Sequence, residues 1–335
     1  MTSSKFLSGL DPFLAFLIAS VVAASLVPAQ GMGATIAGWA ADLAIALLFF
    51  LHGAKLSRAA IAAGIGNWRL HLFVLASSFL LFPIVGLLIS RAAGGLVVPE
   101  IVTGLLYLSL LPSTVQSSIA FTAMAGGNVA AAVCSASLSN IVGIILTPVL
   151  VGLAIHSDGA MKGISGEAVR GIMLQLLLPF TLGHLARPLI GTFIARHKTL
   201  LMPVDRGSIL LVVYTAFSAA VINGIWKKTD LSDLVVIIIL SLALLTLVMA
   251  INLLVARRAR LAREEEIVLL FCGSKKSLVS GVPMAAALFP AAQVGFIILP
   301  LMIFHQIQLF ACAVIAQRYR STDGAEMSLA RSSAS

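Results

Sequence analysis

Apolar residues dominate this chain in long runs that are broken by short polar segments. A helix needs roughly 20 mainly apolar residues to cross a membrane. The pattern predicts ten spans, near 11–29, 35–53, 69–92, 99–122, 128–155, 167–189, 207–225, 231–256, 265–289 and 292–316. Residues 55–68, between the second and third spans, have the pattern of a short amphipathic piece on the membrane surface.

Two of the predicted spans contain polar, helix-breaking inserts. These are Leu110-Leu-Pro-Ser-Thr-Val-Gln-Ser-Ser118 in the fourth and Phe271-Cys-Gly-Ser-Lys-Lys-Ser277 in the ninth. Each is followed by a short link and a long apolar run that contains a proline, Pro148 or Pro300. Two such five-span halves insert with opposite topology, like the inverted repeats of secondary transporters, whose sites lie at broken helices. Chance similarity between apolar helices is the alternative.

This repeat predicts the domain organisation. The first five-helix repeat covers residues 1–160 and the second covers 161–317, and a disordered cytoplasmic tail follows at 318–335. We therefore expect an all-α polytopic membrane protein of ten transmembrane helices, arranged as two inverted repeats.

Composition agrees with a membrane protein. The chain is 60% hydrophobic and 10% charged, whereas soluble domains are about 45–50% apolar and about 25% charged. A net charge of +9 would suggest acidic partners for a soluble protein. Here most lysines and arginines lie in the predicted loops on the side that holds both termini. This bias predicts cytoplasmic termini in a bacterial inner membrane, with no nucleic acid as partner.

Lys275 and Lys276 lie near the middle of the ninth predicted span. A charge at membrane depth is costly and usually faces a protein interior or a water-filled cavity. One lysine could hold an anionic substrate, stand in for a bound cation, or load and release a proton. The alternative is that both side chains snorkel to the surface from a span with different boundaries.

Hydroxyl and amide side chains accompany these lysines in both inserts. They could offer oxygen atoms to an ion or a substrate: Ser274, Ser277 and Ser280 in the ninth span, and Ser113, Thr114, Gln116, Ser117 and Ser118 in the fourth. The alternative is packing, because Ser and Thr are common at interfaces between membrane helices.

Two further titratable residues lie inside predicted spans. Asp42 could pair with a buried lysine or take part in coupling, or it reaches water from near the end of its span. His305 could relay protons, or it packs through hydrogen bonds alone. The sequence has no Ser-His-Asp arrangement, nucleotide loop or metal-ligand spacing. We therefore predict neither an enzyme nor a resident cofactor or metal, with Na⁺ or H⁺ as the candidate coupling ion.

Several short stretches occur in a characteristic order through most of the chain: Arg69-Leu-His-Leu-Phe73, Gly126-Gly-Asn128, Phe271-Cys272, Lys276-Ser277-Leu278, Gly281-Val-Pro-Met284 and Pro300-Leu-Met-Ile-Phe-His305. Through them the chain resembles the bile acid:sodium symporter superfamily (solute carrier family 10), in the branch of vertebrate member-7-like proteins and their bacterial relatives. The resemblance implies ten spans in two inverted repeats, a panel domain and a core domain. It also implies that helices 4 and 9 cross as broken helices near the midplane.

The chain differs from the sodium-coupled branch of this superfamily at the positions that the resemblance assigns to the sodium ligands. The glutamate and glutamine of the ninth helix correspond to Phe271 and Lys275, and a Ser-Asn pair of the fourth helix corresponds roughly to Ser117 and Ser118. A lysine ammonium brings the positive charge that sodium would bring. The hypothesis is that Lys275 or Lys276 occupies a former cation site, which leaves sodium-independent or proton-linked transport. The alternative is a surviving sodium site built from backbone carbonyls and serines.

These observations predict a secondary transporter that moves a small or amphipathic organic anion by alternating access at the crossover of spans 4 and 9. The predicted binding residues are Lys276, Lys275, Ser277, Ser274, Ser117, Ser118, Thr114 and Gln116, with Asp42 and His305 as candidate coupling groups. The alternative from another class is a membrane regulator or scaffold that transports nothing. The sequence predicts no particular oligomeric state.

Overall fold

The computed structural model of the protein describes residues 12–55, 67–155 and 166–333, and these ranges fold as helices without a β-strand. The α-helices are α1 Pro12–Leu26, α2 Gly31–Lys55, α3 Trp68–Ala76, α4 Phe82–Ala93, α5 Pro99–Ser109, α6 Gln116–Met124, α7 Val129–Ile155, α8 Gly166–Arg196, α9 Lys198–Ile222, α10 Ile225–Lys228, α11 Leu231–Arg258, α12 Arg263–Gly273, α13 Leu278–Leu288 and α14 Ala291–Ser333. A π-helical turn, Ser77–Leu81, joins α3 to α4. The predicted all-α class is confirmed.

Eight stretches of the described chain are helical, long and apolar enough to cross a membrane. They correspond to eight of the ten predicted spans. The first predicted span falls short because α1 has 15 residues. The fourth falls short because it is divided into α5 and α6, of 11 and 9 residues. The ten-helix arrangement in two inverted repeats stays a prediction, and the amphipathic piece predicted at 55–68 lies largely outside the described residues.

The two predicted inserts interrupt their helices. In the fourth span, α5 ends at Ser109 and α6 begins at Gln116. Pro112 accounts for this break, because proline lacks an N–H and disfavours helical backbone in the residue before it. In the ninth span, α12 ends at Gly273 and α13 begins at Leu278. We call residues 110–115 the first break and residues 274–277 the second break.

A smaller irregularity in the third span leaves one carbonyl group without a partner in its own helix. In the π-helical turn the N–H of Phe82 donates to the oxygen of Ser77, where an α-helix would use the oxygen of Ser78. The next residue, Pro83, has no N–H to donate. The carbonyl of Ser78 is therefore available to a group from elsewhere in the chain.

The chain folds into two compact units, and each draws on both halves of the sequence. The described parts of the first unit are residues 12–55, 166–230 and 282–298, and those of the second are 67–155, 231–281 and 299–333. The predicted repeats at 1–160 and 161–317 cut across these units and stay predictions. Helix α14 extends to Ser333, through most of the segment for which a disordered tail is predicted.

In the first unit, α2 and α8 approach each other at glycines. A Cβ atom added to Gly183 would lie 1.9 Å from the backbone oxygen of Phe50, and one added to Gly53 would lie 2.0 Å from that of Phe180. Small residues let membrane helices pack with their backbones in contact. An ion pair between Lys55 and Asp205 joins the end of α2 to α9.

The second unit is built around α12 and the second break. Every residue from Ile267 to Gly273 in α12 is buried, and so are Ser274, Lys275, Lys276 and Ser277 of the second break. Helices α3, α6, α7 and α11 all pack against α12. This part of the ninth span is therefore shielded by protein, as expected for one that carries charged and irregular backbone at membrane depth.

Candidate functional site

The first and second breaks lie against each other in the second unit. Ser113 Oγ donates a hydrogen bond to the carbonyl of Cys272 at 2.5 Å, and Ser118 Oγ donates to the carbonyl of Phe271 at 3.1 Å. In return, the backbone N–H of Ser277 donates to the carbonyl of Pro112 at 2.9 Å. Each broken helix thus satisfies polar groups that the other exposes by ending early.

Helix α7 satisfies other polar groups of the first break. Thr147 Oγ1 donates to the carbonyl of Leu110 at 2.8 Å, and Asn140 Nδ2 donates to that of Ser113 at 2.7 Å. Gly143 allows this contact, since a Cβ atom there would lie 2.6 Å from the side chain of Pro112. The irregular backbone at this depth is therefore held by protein groups rather than by solvent.

Lys276 ties three spans together through its ammonium group. Its side chain is fully buried, and Nζ donates to the carbonyl of Leu111 at 2.6 Å and to the carbonyl of Ser78 at 2.8 Å. Nζ also lies 4.1 Å from the ring centroid of Phe82. The ammonium thus sits where the π-helical turn and the first break each present a free carbonyl, as a bound metal cation would.

Gln308 holds the backbone of the same lysine from α14. Its Nε2 donates to the carbonyl of Lys276 and its Oε1 accepts from the N–H of Lys276, both at 2.8 Å. Its Nε2 also lies 2.8 Å from Nδ1 of His305, which is partly buried. The sequence prediction chose His305 from this polar pair and missed Gln308. The sequence signal for Gln308 is its amide side chain, which lies about one helical turn after His305 in the same apolar run.

Lys275 has a different environment from its neighbour. Its side chain is also fully buried, but Nζ has no hydrogen-bond acceptor among the described residues. The ammonium lies 4.3 Å from the ring centroid of Phe121 on α6. The neighbouring titratable side chains are the buried thiols of Cys272 and Cys312, and no carboxylate of the described chain forms an ion pair with Lys275.

Comparison with known proteins identifies the class of protein that carries this site. Residues 11–321 match the SBF-like CPA transporter family. The chain belongs to this family. The predicted resemblance to the bile acid:sodium symporter superfamily is confirmed, and the protein is an integral, multi-pass membrane transporter.

Curated relatives of this SBF-like transporter come from bacteria and vertebrates. The chain is 56% identical over 311 residues to the protein named "Putative symporter YfeH" of Escherichia coli K12, covering 93% of each chain. It is 50% identical over 331 residues to "Uncharacterized protein PA2026" of Pseudomonas aeruginosa, covering 98% of each. It is 25% identical over 285 residues to "Sodium/bile acid cotransporter 7" of Rattus norvegicus, covering 83% of this chain and 82% of the rat protein.

The predicted hydroxyl ligands of this SBF-like transporter already have partners within the protein. Thr114 Oγ1 shares hydrogen bonds with Ser117 Oγ and Ser118 Oγ, each at 3.0 Å. Ser274 Oγ accepts from Asn252 Nδ2 at 3.0 Å, and Ser277 Oγ donates to Ser280 Oγ at 3.1 Å. These side chains therefore hold the two breaks in shape, and their role as ligands stays a prediction.

Two predicted residues lie outside this network. Gln116 begins α6, next to the first break, and its side chain is exposed. Asp42 is exposed on α2, in the first unit. Their predicted roles in binding and coupling stay predictions.

At the contact of the two breaks, Lys276 occupies backbone oxygens that a sodium ion would otherwise use. Two carbonyls that could bind a cation, those of Ser78 and Leu111, accept hydrogen bonds from Lys276. Phe271, which the resemblance aligns with a glutamate ligand of the sodium-coupled branch, has a fully buried apolar side chain.

Proposed function

We propose that this chain is a secondary active transporter of the bile acid:sodium symporter type. It moves a small or amphipathic organic anion by alternating access, and Lys276 occupies the place of a coupling sodium ion. The observation that carries the proposal is the pair of fully buried lysines where the two breaks meet. Neither lysine forms an ion pair with a carboxylate of the described chain, so the ammonium groups make this site positive.

The anionic substrate follows from this charge. A buried charge is stable when it is paired, either with protein groups or with a ligand. Lys276 has two carbonyl acceptors, but Lys275 has none. An anion that enters beside Lys275 would supply the missing partner, and Phe121 would offer an apolar surface to the body of the molecule. The names of the vertebrate relatives, which refer to bile acids, point to the same class of compound.

Independence from sodium follows from the position of Lys276. Its ammonium brings a positive charge to the carbonyls of Leu111 and Ser78. Sodium would have to displace a group that is covalently part of the chain. A lysine side chain donates up to three hydrogen bonds and is covalently attached, so the amine stays at these carbonyls throughout the transport cycle, and its two hydrogen bonds favour the charged form.

The proposed location is the bacterial inner membrane, with both termini in the cytoplasm. Basic residues at helix ends support it, among them Lys55 at the end of α2 and Arg257 and Arg258 at the end of α11. Cytoplasmic loops carry such an excess of Lys and Arg. The proposed activity is transport alone, without enzymatic chemistry.

Counterflow in proteoliposomes tests this function. We expect vesicles that are preloaded with unlabelled taurocholate to accumulate labelled taurocholate transiently, and we expect the same for benzenesulfonate, a small anion. Lys275→Met should reduce the accumulation about tenfold or more, because a buried charged contact to a ligand contributes more than about 1.4 kcal/mol. Protein-free vesicles give the background.

Counterflow needs no gradient of sodium or protons, so its result does not depend on which ion drives transport. If neither anion shows counterflow and neither raises the melting temperature of the purified protein, the proposed function is wrong. A non-transporting membrane regulator with the same fold would then be the better description.

A further inference from the structure

We propose that Lys275 carries a coupling proton, so that one proton and one organic anion are transported together by the same buried amine. This inference rests on the proposed transport of an organic anion. It assigns separate roles to the two lysines: Lys276 is a fixed positive charge, and Lys275 is the group that gains and loses a proton during transport.

The two neighbouring ammonium groups differ in their hydrogen bonds. Lys276 Nζ donates to two carbonyls, and hydrogen bonds from a charged donor are about twice as strong as those from a neutral one, so the charged form of Lys276 is stabilised. Lys275 Nζ has no acceptor among the described residues and faces the ring of Phe121. Within the described chain, hydrogen bonds therefore stabilise the charged form of Lys276 but not that of Lys275, so Lys275 is the lysine of this pair that gives up a proton more readily.

The groups that face Lys275 add no compensating negative charge. Cys272 on α12 and Cys312 on α14 are the titratable groups that act on it, and both are buried free thiols. Helix α6 contributes Phe121. On α3, the titratable His71 is hydrogen-bonded to Ser135 of α7 at 2.7 Å.

Protonation of Lys275 and binding of an anion should therefore support each other. An ammonium that is buried without an acceptor is unfavourable, and an anion placed next to it removes this penalty. Coupling between two binding events is reciprocal, so the anion promotes protonation as much as protonation promotes anion binding. The amine takes up H⁺ and the anion on one side of the membrane and releases both on the other. With a monovalent anion, no net charge moves.

A pH gradient across proteoliposomes tests the coupling. Taurocholate suits the experiment because its sulfonate stays ionised, so any proton that moves with it must be carried by the protein. With the outside more acidic by one pH unit, a coupling of one proton per anion predicts about tenfold accumulation of taurocholate inside the vesicles. A protonophore should abolish this accumulation, and a sodium gradient should not replace the pH gradient.

Lys275→Arg separates charge from proton exchange. Arginine keeps its proton at all pH values that proteins tolerate. We therefore expect Lys275→Arg to retain counterflow but to lose accumulation driven by pH. Pronounced accumulation by this variant would overturn the proposal. Wild-type protein that shows counterflow without accumulation would overturn it as well. Wild-type protein that shows no counterflow would instead contradict the proposed function.

A measurement on the wild-type protein covers the case in which Lys275→Arg does not fold. Purified protein in weakly buffered detergent solution is mixed with taurocholate while a pH-indicator dye reports free protons. We expect the solution to become more alkaline, because the protein takes up protons as it binds the anion. Binding of taurocholate, shown by a higher melting temperature, without any proton uptake would refute proton coupling at Lys275.

Discussion

Replacing Lys276 by methionine will lower the melting temperature of the purified protein far more than the same replacement at Lys275. The Lys276→Met variant leaves the carbonyls of Leu111 and Ser78 buried without their donor. Each such loss costs about 1–3 kcal/mol, so about 2–6 kcal/mol is expected in total. Ser78 has no substitute donor, since Phe82 donates to Ser77 and Pro83 lacks an N–H.

Lys275→Met is the matched control for this experiment. It changes the adjacent residue in the same way and removes a similar charge, but breaks no hydrogen bond to a described residue. A charge that is buried without a partner is costly, so we expect replacement of Lys275 to leave the stability unchanged or to raise it. Thermal unfolding in detergent, followed by tryptophan fluorescence, compares the two variants with wild type. Equal melting temperatures for the two variants would show that the Lys276 ammonium does not hold the breaks together.

Gly183→Ala will destabilise the first unit by separating α2 from α8. The new methyl group would lie 1.9 Å from the backbone oxygen of Phe50, a distance that no ordinary carbon–oxygen contact reaches. A backbone oxygen cannot rotate away like the end of a side chain, so one helix must shift. Forcing a methyl group into a packed interior costs about 1–3 kcal/mol, and more where backbone must move. A clear drop in melting temperature in detergent is the expected result.

Gly38→Ala provides the control for this substitution. Gly38 lies on α2, but a Cβ atom there would have no neighbour within 4 Å. Exchange of glycine for alanine in an exposed helix interior favours the helix by up to about 1 kcal/mol. We therefore expect Gly38→Ala to leave the melting temperature unchanged or slightly higher. A Gly183→Ala variant that melted with Gly38→Ala would contradict the close approach of the two helices.

The sequence predicts the helix breaks and the site where polar or helix-breaking residues stand at membrane depth. Pro112 and the Gly273-Ser274 pair stand in otherwise apolar runs, and the helices end at these places. The two lysines stand out in the sequence for the same reason, because a charge at membrane depth is costly. These signals needed no knowledge of which residues meet in space.

The different roles of the two lysines could not be predicted in this way. The partners of Lys276 are backbone carbonyls, which every residue has, so the sequence does not mark them. Ser78 becomes a partner because of a π-helical turn, which shifts one hydrogen bond and has no reliable sequence pattern. The lack of an acceptor for Lys275 likewise depends on the packing of α6 and α14.

We propose that the Lys276 ammonium takes the place of a sodium ion between the third, fourth and ninth spans. The most direct test is the melting temperature of the purified wild-type protein in sodium chloride and in choline chloride at equal ionic strength. Because the two carbonyls already bind the lysine, we predict the same melting temperature in both salts. A higher melting temperature in sodium that increases with its concentration would reveal a sodium site and contradict the claim.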